Sequence, residues 1–273
     1  MEQASCFATQ KSPQTPIKPK KKVNNSKIVH SSWYKLDQFG YEALAEAFVS
    51  LLLEKSNLER DTPFSFVRYR MENLHVHGLD RTGCSSPNFL EPGQSLITIN
   101  RLLSSVLGFP LKQKLARLPS DKQRIAYLSE FTAEYTGLTQ FPQYLTTLFE
   151  LDALFFNDDR HLNNIAVLEK NGLYSYCPIF DNGAALLSNT MLYRMDIVPS
   201  ALIASLRARP FGTTFARQRN TAQSLYGKQL SFPFLHPEEI QQLLSSLLPY
   251  YPLRDRGEII DRVTACVLKG QRG

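Results

Sequence analysis

Apolar positions near the middle of the chain follow two different periods that meet at a short polar stretch. Before the stretch, apolar residues recur near the 3.6-residue period of a buried helix: Leu145, Leu148, Phe149, Leu151, Leu154 and Phe155. After it, residues 165–168 form an apolar strand, 169–172 a turn, and 173–180 the return strand of a hairpin. The pattern therefore predicts a polar loop between helix and hairpin, with Asp181 at the end of the hairpin.

The rest of the pattern predicts a small unit of strands and one helix, followed by a mainly helical unit. Strands are expected at residues 28–36 and 64–71, the second being the last strand of the small sheet, and a helix at 41–52. Residues 72–97 suggest an ordered loop or hairpin. Helices are expected around residues 102–107, 124–135, 199–209, 237–248 and 255–268. We predict an α+β fold divided into residues 1–71 and 72–273.

Composition is that of a globular protein of 273 residues, with 43% hydrophobic and 21% charged positions. No apolar run approaches the roughly 18 residues that span a bilayer, and the amino terminus lacks the apolar core of a secretory signal. We expect a cytoplasmic protein with no membrane contact. Its cysteines, Cys6, Cys84, Cys177 and Cys266, form no CxxC pair and predict reduced thiols.

The net charge of +6 is concentrated in one segment. Residues 1–27 contain six lysines and one acid, Glu2, which leaves the remainder of the chain nearly neutral. The lysine-rich residues 18–22 fit either an anion-binding segment or a solvated tail. We expect no nucleic-acid interface on the folded body.

Polar residues of the central loop and hairpin have the spacing that phosphoryl transfer requires. Asp159 precedes Asn164 by five residues, and Asp181 follows beyond the hairpin. In protein kinases, an Asp, an Asn five residues later and a second Asp beyond a hairpin supply the carboxylate near the acceptor hydroxyl and the oxygen ligands of Mg²⁺. A simpler hypothesis is that Asp158 and Asp159 only turn the chain and that Asn164 makes a local turn bond.

The motif Asn157-x-Asp159-x-His161-x-x-Asn164, followed by Pro178-Ile-Phe-Asp181, resembles the C-terminal kinase domain of HipA-like serine/threonine kinases. That family includes toxins of bacterial toxin–antitoxin pairs. The resemblance implies a two-lobed, protein-kinase-like fold with a small N-terminal lobe of sheet and helix and a larger, mainly helical C-terminal lobe. It also implies ATP and Mg²⁺ as cofactors and a protein Ser or Thr hydroxyl as the acceptor.

The resemblance assigns a role to each candidate site residue. Asp159 would accept or orient the substrate proton, while Asn157 and His161 would shape the loop, and Asn164 and Asp181 would bind Mg²⁺. Lys35 would hold the α- and β-phosphates, and Glu46, or alternatively Glu42, would position Lys35. The backbone from Val67 to Tyr69 would face the adenine. A HipA-like phosphate loop would fall at residues 9–15, yet no glycine precedes Gly40.

Other hypotheses stay open on the sequence. The Asp-Arg-His-x-x-Asn run also resembles phosphatidylinositol-kinase-like enzymes, which would make the substrate a lipid or a small molecule. The glycine-poor amino terminus fits a catalytically silent, kinase-shaped interaction protein. An antitoxin-like partner is possible, and the chain has no room for the extra N-terminal domain of full-length toxins. His75, His77 and Cys84 are a further candidate set, for zinc.

Overall fold

The computed structural model describes residues 32–272. Predictions for the lysine-rich segment, for the phosphate loop at residues 9–15, for Cys6 and for the start of the first strand lie outside the described residues.

A three-stranded antiparallel sheet in the order β1-β3-β2 begins the described chain. The strands are β1 (Ser32–Leu36), β2 (Arg70–Val76) and β3 (Leu79–Pro87). Between β1 and β2 lie the helices α1 (Glu42–Leu53) and the short α2 (Leu58–Asp61). The turn between β2 and β3 is His77-Gly78, with φ of 50° and 80°, as a tight two-residue hairpin requires. The helix predicted at residues 41–52 is confirmed as α1, which is buried along most of its length.

The strand predicted at residues 64–71 is wrong for most of its length, because β2 begins only at Arg70. Before that point Phe66 forms a single bridge to Ile179. The sheet then continues through the β2–β3 hairpin to Pro87. The boundary predicted between residues 71 and 72 therefore falls within β2, and the N-terminal unit of sheet and helix extends to the end of β3.

The zinc hypothesis fails for geometric reasons. His75 is exposed and contacts Asp80 at 2.8 Å, whereas the side chain of Cys84, in strand β3, is fully buried. Within residues 32–272, no cluster of three His, Cys, Asp or Glu side chains is arranged to hold a metal ion. Cys84, Cys177 and Cys266 are buried free thiols.

A second antiparallel sheet and eight helices follow in the described chain. The sheet has the order β4-β5-β6, from β4 (Ser95–Thr98), β5 (Ala166–Lys170) and β6 (Leu173–Tyr176). The helices are α3 (Ile99–Leu107), α4 (Leu111–Ala116), α5 (Asp121–Thr136), α6 (Phe141–Phe155), α7 (Pro199–Ser205), α8 (Phe215–Tyr226), α9 (Pro237–Ser245) and α10 (Leu253–Gln271), with a 3-10 turn at Leu248–Tyr250.

Helix α6 lies at the centre of the helical unit and packs against α5, α8 and α10. Most of its side chains are buried, including the polar Thr146, Thr147, Glu150 and Asp152, so the helix is enclosed on nearly all sides. Gly270 of α10 touches the backbone of α6, where an added Cβ would lie 1.9 Å from the carbonyl oxygen of Leu154. This close approach fixes the C-terminal helix against the helix that leads into the polar loop.

The predicted helices and hairpin are confirmed with changed boundaries. The last strand of the hairpin ends at Tyr176 rather than residue 180, and α7 ends at Ser205 rather than residue 209. Helix α8 was not predicted. No helix of residues 32–272 combines the length and apolar character needed to cross a bilayer.

Candidate active site

The polar loop begins after α6 ends at Phe155, where the next residue, Phe156, has a φ of 56° that turns the chain out of the helix. Asn157 then holds both sides of the loop: its amide oxygen accepts from the Asp159 N–H at 3.3 Å, and its Nδ2 donates to the carbonyl oxygen of Asp181 at 3.3 Å. The backbone of Asp181 is also left-handed, with φ of 62°, a conformation that Asp adopts more readily than most residues. Asn157 thus brings the predicted loop and Asp181 together.

Lys35 joins the first sheet to this loop. Its Nζ lies 2.5 Å from Glu46 Oε1 of α1 and 2.7 Å from Asp181 Oδ1. The second oxygen of Glu46 accepts from the Asn182 N–H at 2.8 Å. Glu42, the alternative partner, instead accepts from the backbone N–H groups ahead of α1, including that of Phe39 at 3.0 Å, so the structure pairs Lys35 with Glu46.

Burial and the neighbouring charges shift the pKa values of all three residues in this cluster. Burial alone would lower the pKa of Lys35, but Asp181 and Glu46 outweigh burial and hold that pKa well above its usual value. Burial raises the pKa of Glu46, whose side chain is only 1% exposed, against the opposing effect of Lys35. The side chain of Asp181 is 30% exposed. Burial also acts to raise its pKa, but Lys35 and Arg160 prevail and lower it.

Arg160 is the buried centre of the loop. Its guanidinium donates to Asp152 Oδ1 of α6 at 3.2 Å, to the Phe180 carbonyl at 2.7 Å and to Asn182 Oδ1 at 2.6 Å. Burial raises the pKa of Asp152 to about 6 despite this contact. Because one side chain ties the helix, the loop and the segment after the hairpin, Arg160 fixes the separation between Asp159 and Asp181.

Asp159 is half-buried between Arg209 and His161. Arg209 Nη1 lies 3.1 Å from its Oδ1, and His161 Nε2 lies 3.9 Å from its Oδ2. Burial raises the pKa of Asp159 above its usual value, and His161 and Arg209 oppose that shift. The carboxylate is therefore accessible, partly neutralised and close enough to Asp181 for the two charges to influence each other.

Two oxygens of the site suit a hard cation. Asn164 donates its Nδ2 to the Asp159 carbonyl at 3.0 Å, which leaves its Oδ1 directed elsewhere. Within residues 32–272, neither Asn164 Oδ1 nor Asp181 Oδ2 accepts a hydrogen bond. Carboxylate and amide oxygens are the ligands that Mg²⁺ takes from proteins, with water and phosphate completing its shell. The donor set therefore fits Mg²⁺.

The backbone from Val67 to Tyr69, which the resemblance expects to face the adenine, has two of its N–H groups engaged within the protein. The Val67 N–H donates to the Ile179 carbonyl at 2.9 Å, and the Tyr69 N–H to Ser50 Oγ at 3.3 Å, so neither N–H is available to a base. The ring of Tyr69 instead packs 5.3 Å from Lys35 Nζ. The chain leaves the first sheet after Pro87, not after Tyr69.

Sequence reasoning missed Arg160 and Arg209 as members of the site. The sequence did contain a signal for Arg160. It lies inside the motif, between Asp159 and His161, and an arginine within a tightly turned loop lies close to the other residues of that loop. Arg209 lies 50 residues from Asp159 in sequence and only the tertiary structure reveals it.

Comparison with known proteins gives the fold. No protein-family model matches the sequence, and no curated protein matches it. Among solved structures, the proinflammatory kinase CtkA of Helicobacter pylori superposes with a TM-score of 0.59 at 12% identity, over 89% of both chains. HipA of Shewanella oneidensis MR-1, solved with HipB and its operator DNA, gives a TM-score of 0.46 at 13% identity, over 89% of this chain and 59% of that chain.

The likeness to CtkA shows that this chain has a kinase-like fold. The predicted fold class, with a small unit of sheet and helix and a larger, mainly helical unit, is confirmed. The kinase-like fold that the sequence resemblance implied is therefore confirmed.

Proposed function

We propose that this protein is a HipA-like kinase that transfers the γ-phosphoryl group of ATP to a Ser or Thr hydroxyl of a protein, with Mg²⁺. The observation that supports the proposal best is the ion-pair cluster of Lys35, Glu46 and Asp181, joined at 2.5 and 2.7 Å. Kinases require a strand Lys held by a helix Glu, beside a metal-binding Asp. The cluster unites all three from separate elements.

The nucleotide would lie between the two sheets. Lys35 would hold its α- and β-phosphates, Glu46 would keep Lys35 in place, and Asn164 and Asp181 would hold Mg²⁺. Mg²⁺ would neutralise charge on the phosphates. The adenine would face the backbone from Val67 to Tyr69, as the sequence resemblance implies, through groups other than the two engaged N–H groups.

Asp159 would receive the proton of the acceptor hydroxyl. Its raised pKa brings the carboxylate nearer to the acidity that favours proton transfer at neutral pH. Arg209 and His161 would orient it, and Asn157 and Arg160 would fix the loop at the correct distance from Asp181. An antitoxin-like partner is a prediction that rests on the sequence resemblance.

The test compares Asp159→Asn with wild type. Asn is nearly isosteric with Asp, so binding of ATP and Mg²⁺ should be almost unchanged while phosphoryl transfer falls by roughly 10²–10⁴, the range for lost acid–base assistance. Labelled phosphate incorporation would be measured in the protein itself and in proteins of a cell lysate, with and without Mg²⁺. Candidate acceptors within the chain are Ser12 and Thr15.

Three other results would change the assignment. If wild type binds Mg-ATP yet labels no more than the variant, the silent, kinase-shaped interaction protein is the better account. Label that enters lipid or a small metabolite instead of protein would favour the phosphatidylinositol-kinase-like alternative. No magnesium-dependent binding of ATP at all would refute the nucleotide site.

A further inference from the structure

A cavity of about 270 Å³ lies beside the catalytic loop and is separate from the Lys35 cluster. It is lined by Asp158 of the loop, by Tyr193, and by the chain after α7, including Ser205, Arg207 and Arg209. Since Arg209 also contacts Asp159 Oδ1 at 3.1 Å, the cavity adjoins the proposed proton acceptor. An acceptor molecule that reaches Asp159 can therefore place its neighbouring groups in this cavity.

The chain that carries the two arginines is a fixed turn. The Ala208 N–H donates to the Thr213 carbonyl at 2.7 Å, and the Gly212 N–H to the Ala208 carbonyl at 2.9 Å. Beneath it, Gln218 of α8 is 1% exposed and donates to the Arg209 carbonyl at 2.8 Å. A backbone held at both ends presents its side chains in a constant direction, as a recognition site requires.

The charged side chains that line the cavity differ in whether they have a side-chain partner. Asp158 accepts a hydrogen bond from the Tyr193 hydroxyl, and Arg209 pairs with Asp159. Arg207 contacts only neutral acceptors, chiefly the carbonyls of Leu206 at 2.8 Å and Ser205 at 3.2 Å. None of the ion pairs within residues 32–272 includes Arg207. The cavity thus contains one cation whose charge no described carboxylate neutralises.

We infer that this cavity is the acceptor site, and that it selects a Ser or Thr peptide with an anionic group, carboxylate or phosphate, next to the acceptor hydroxyl. The inference deepens the proposed function and rests on it. Arg207 would be the specificity residue, because guanidinium groups bind carboxylates and phosphates through paired, charge-assisted hydrogen bonds. A neutral or basic neighbour would leave Arg207 without that partner.

The reaction at this site is an ordinary phosphoryl transfer. The acceptor oxygen forms a bond to the γ-phosphorus, and the bond from that phosphorus to the β–γ bridging oxygen breaks, so ADP leaves with the electron pair. The hydroxyl proton passes to Asp159. Arg207 touches neither the reacting oxygen nor the phosphorus, and it acts only on the neighbouring anion.

Binding of fluorescein-labelled peptides to the full chain, measured by anisotropy, tests the inference without requiring catalysis. Three matched peptides carry a central serine flanked on both sides by alanine, glutamate or phosphoserine. The glutamate or phosphoserine peptide should bind about tenfold more tightly than the alanine peptide, as one charge-assisted contact implies. Tight binding of phosphoserine alone would identify phosphate, and of both would identify negative charge in general.

Arg207→Gln should abolish this preference, and Arg254→Gln should retain it. Arg254 is a matched control because it is an exposed arginine of α10 outside the cavity. Arg207 also contacts carbonyls at the end of α7, so its substitution could change the local structure as well as the charge. A second measurement therefore uses wild type alone. Raising NaCl from 50 to 300 mM should weaken binding of the anionic peptides while leaving the alanine peptide nearly unchanged.

The inference is overturned if the alanine peptide binds wild type as tightly as the anionic ones at low salt, or if Arg207→Gln keeps the preference. Phosphoryl transfer to the same peptides separates the two proposals. Transfer without preference for anionic peptides would leave the kinase proposal standing and refute the acceptor selectivity. Selective binding of the anionic peptides without transfer to any peptide would leave the anion selectivity of the cavity standing and contradict the proposal of phosphoryl transfer.

Discussion

Lys35 lies between two carboxylates in different surroundings. Glu46 is buried by α1, whereas Asp181 is partly exposed and has a lowered pKa. A buried charge that loses its partner is costly to keep, so the ion pair between Glu46 and Lys35 is the fixed one, whereas the Asp181 carboxylate is partly open to solvent. Under the proposed function, Lys35 would keep its position on Glu46 while Asp181 binds Mg²⁺.

Lys35→Met should weaken ATP binding far more than adenosine binding. The lost partner is the phosphate chain, and the loss of charge-assisted hydrogen bonds corresponds to roughly a 10- to 100-fold higher dissociation constant for ATP. Calorimetric titration with ATP and with adenosine measures both. Lys170→Met is the control, since Lys170 is exposed and pairs with Glu91 at 2.9 Å. Equal weakening of both ligands would mean that Lys35 only packs.

Helix α1, which carries Glu46, is held at its beginning by a partly buried carboxyl group, that of Asp37. Asp37 Oδ1 accepts from the Ala43 N–H at 2.6 Å, and Oδ2 accepts from the Tyr251 hydroxyl at 2.7 Å. Burial raises the pKa of Asp37 to about 7, although these two hydrogen bonds oppose it. A group at the start of the helix is therefore protonated in the folded protein where an unfolded Asp is ionised.

The raised pKa of Asp37 makes the free energy of unfolding depend on pH. Between pH 4 and pH 7 the folded state binds a proton that the unfolded state does not, so the free energy of unfolding falls as pH rises across this window. Asp37→Asn, which carries no titrating proton, should lose less stability than wild type between pH 5 and pH 8. The steepest possible difference is about 1.4 kcal/mol per pH unit, and partial exposure reduces it.

Urea denaturation at four pH values across this range measures the difference directly. Asp261→Asn on the exposed face of α10 is the matched control, and its curve should parallel that of wild type. Parallel curves for Asp37→Asn as well would show that Asp37 does not titrate between the folded and unfolded states.

The whole molecule depends on how α10, at the end of the chain, lies against the central helix α6. Gly270 is the point of contact, and a Cβ there would meet the Leu154 carbonyl at 1.9 Å. Gly257 of the same helix has no heavy atom within 4 Å of its Cβ position. The two glycines offer the same chemical change with opposite expected outcomes.

Gly270→Ala should destabilise the protein by about 1–3 kcal/mol, the usual cost of overpacking. Gly257→Ala should instead stabilise it by about 0.5–1 kcal/mol, since alanine loses less backbone entropy in a helix. Chemical denaturation of both variants measures the two free energies of unfolding. Similar effects at both positions would contradict the packing of α10 on α6. Because α6 leads into the polar loop that carries Asp159, Gly270→Ala should also lower any activity that the loop supports.

The hydrophobic pattern by itself determined much of the local structure. It predicted α1, α6 and the hairpin of β5 and β6, because each has strong periodicity and clear turn residues at its ends. The spacing of Asp159, Asn164 and Asp181 located the loop for the same local reason. Residues 64–69 misled because their apolar side chains are buried as those of a strand would be, while their backbone forms only an isolated bridge to Ile179.

Tertiary structure alone decided which distant residues meet. The pairing of Lys35 with Glu46 rather than Glu42 depends on the seating of α1, and the approach of Arg209 to Asp159 spans 50 residues of chain. The extent of the first sheet is of the same kind, since β3 joins β1 through long-range hydrogen bonds. Periodicity records only which face of an element is buried, whereas these contacts depend on how separate elements pack, and no local pattern in the sequence encodes that arrangement.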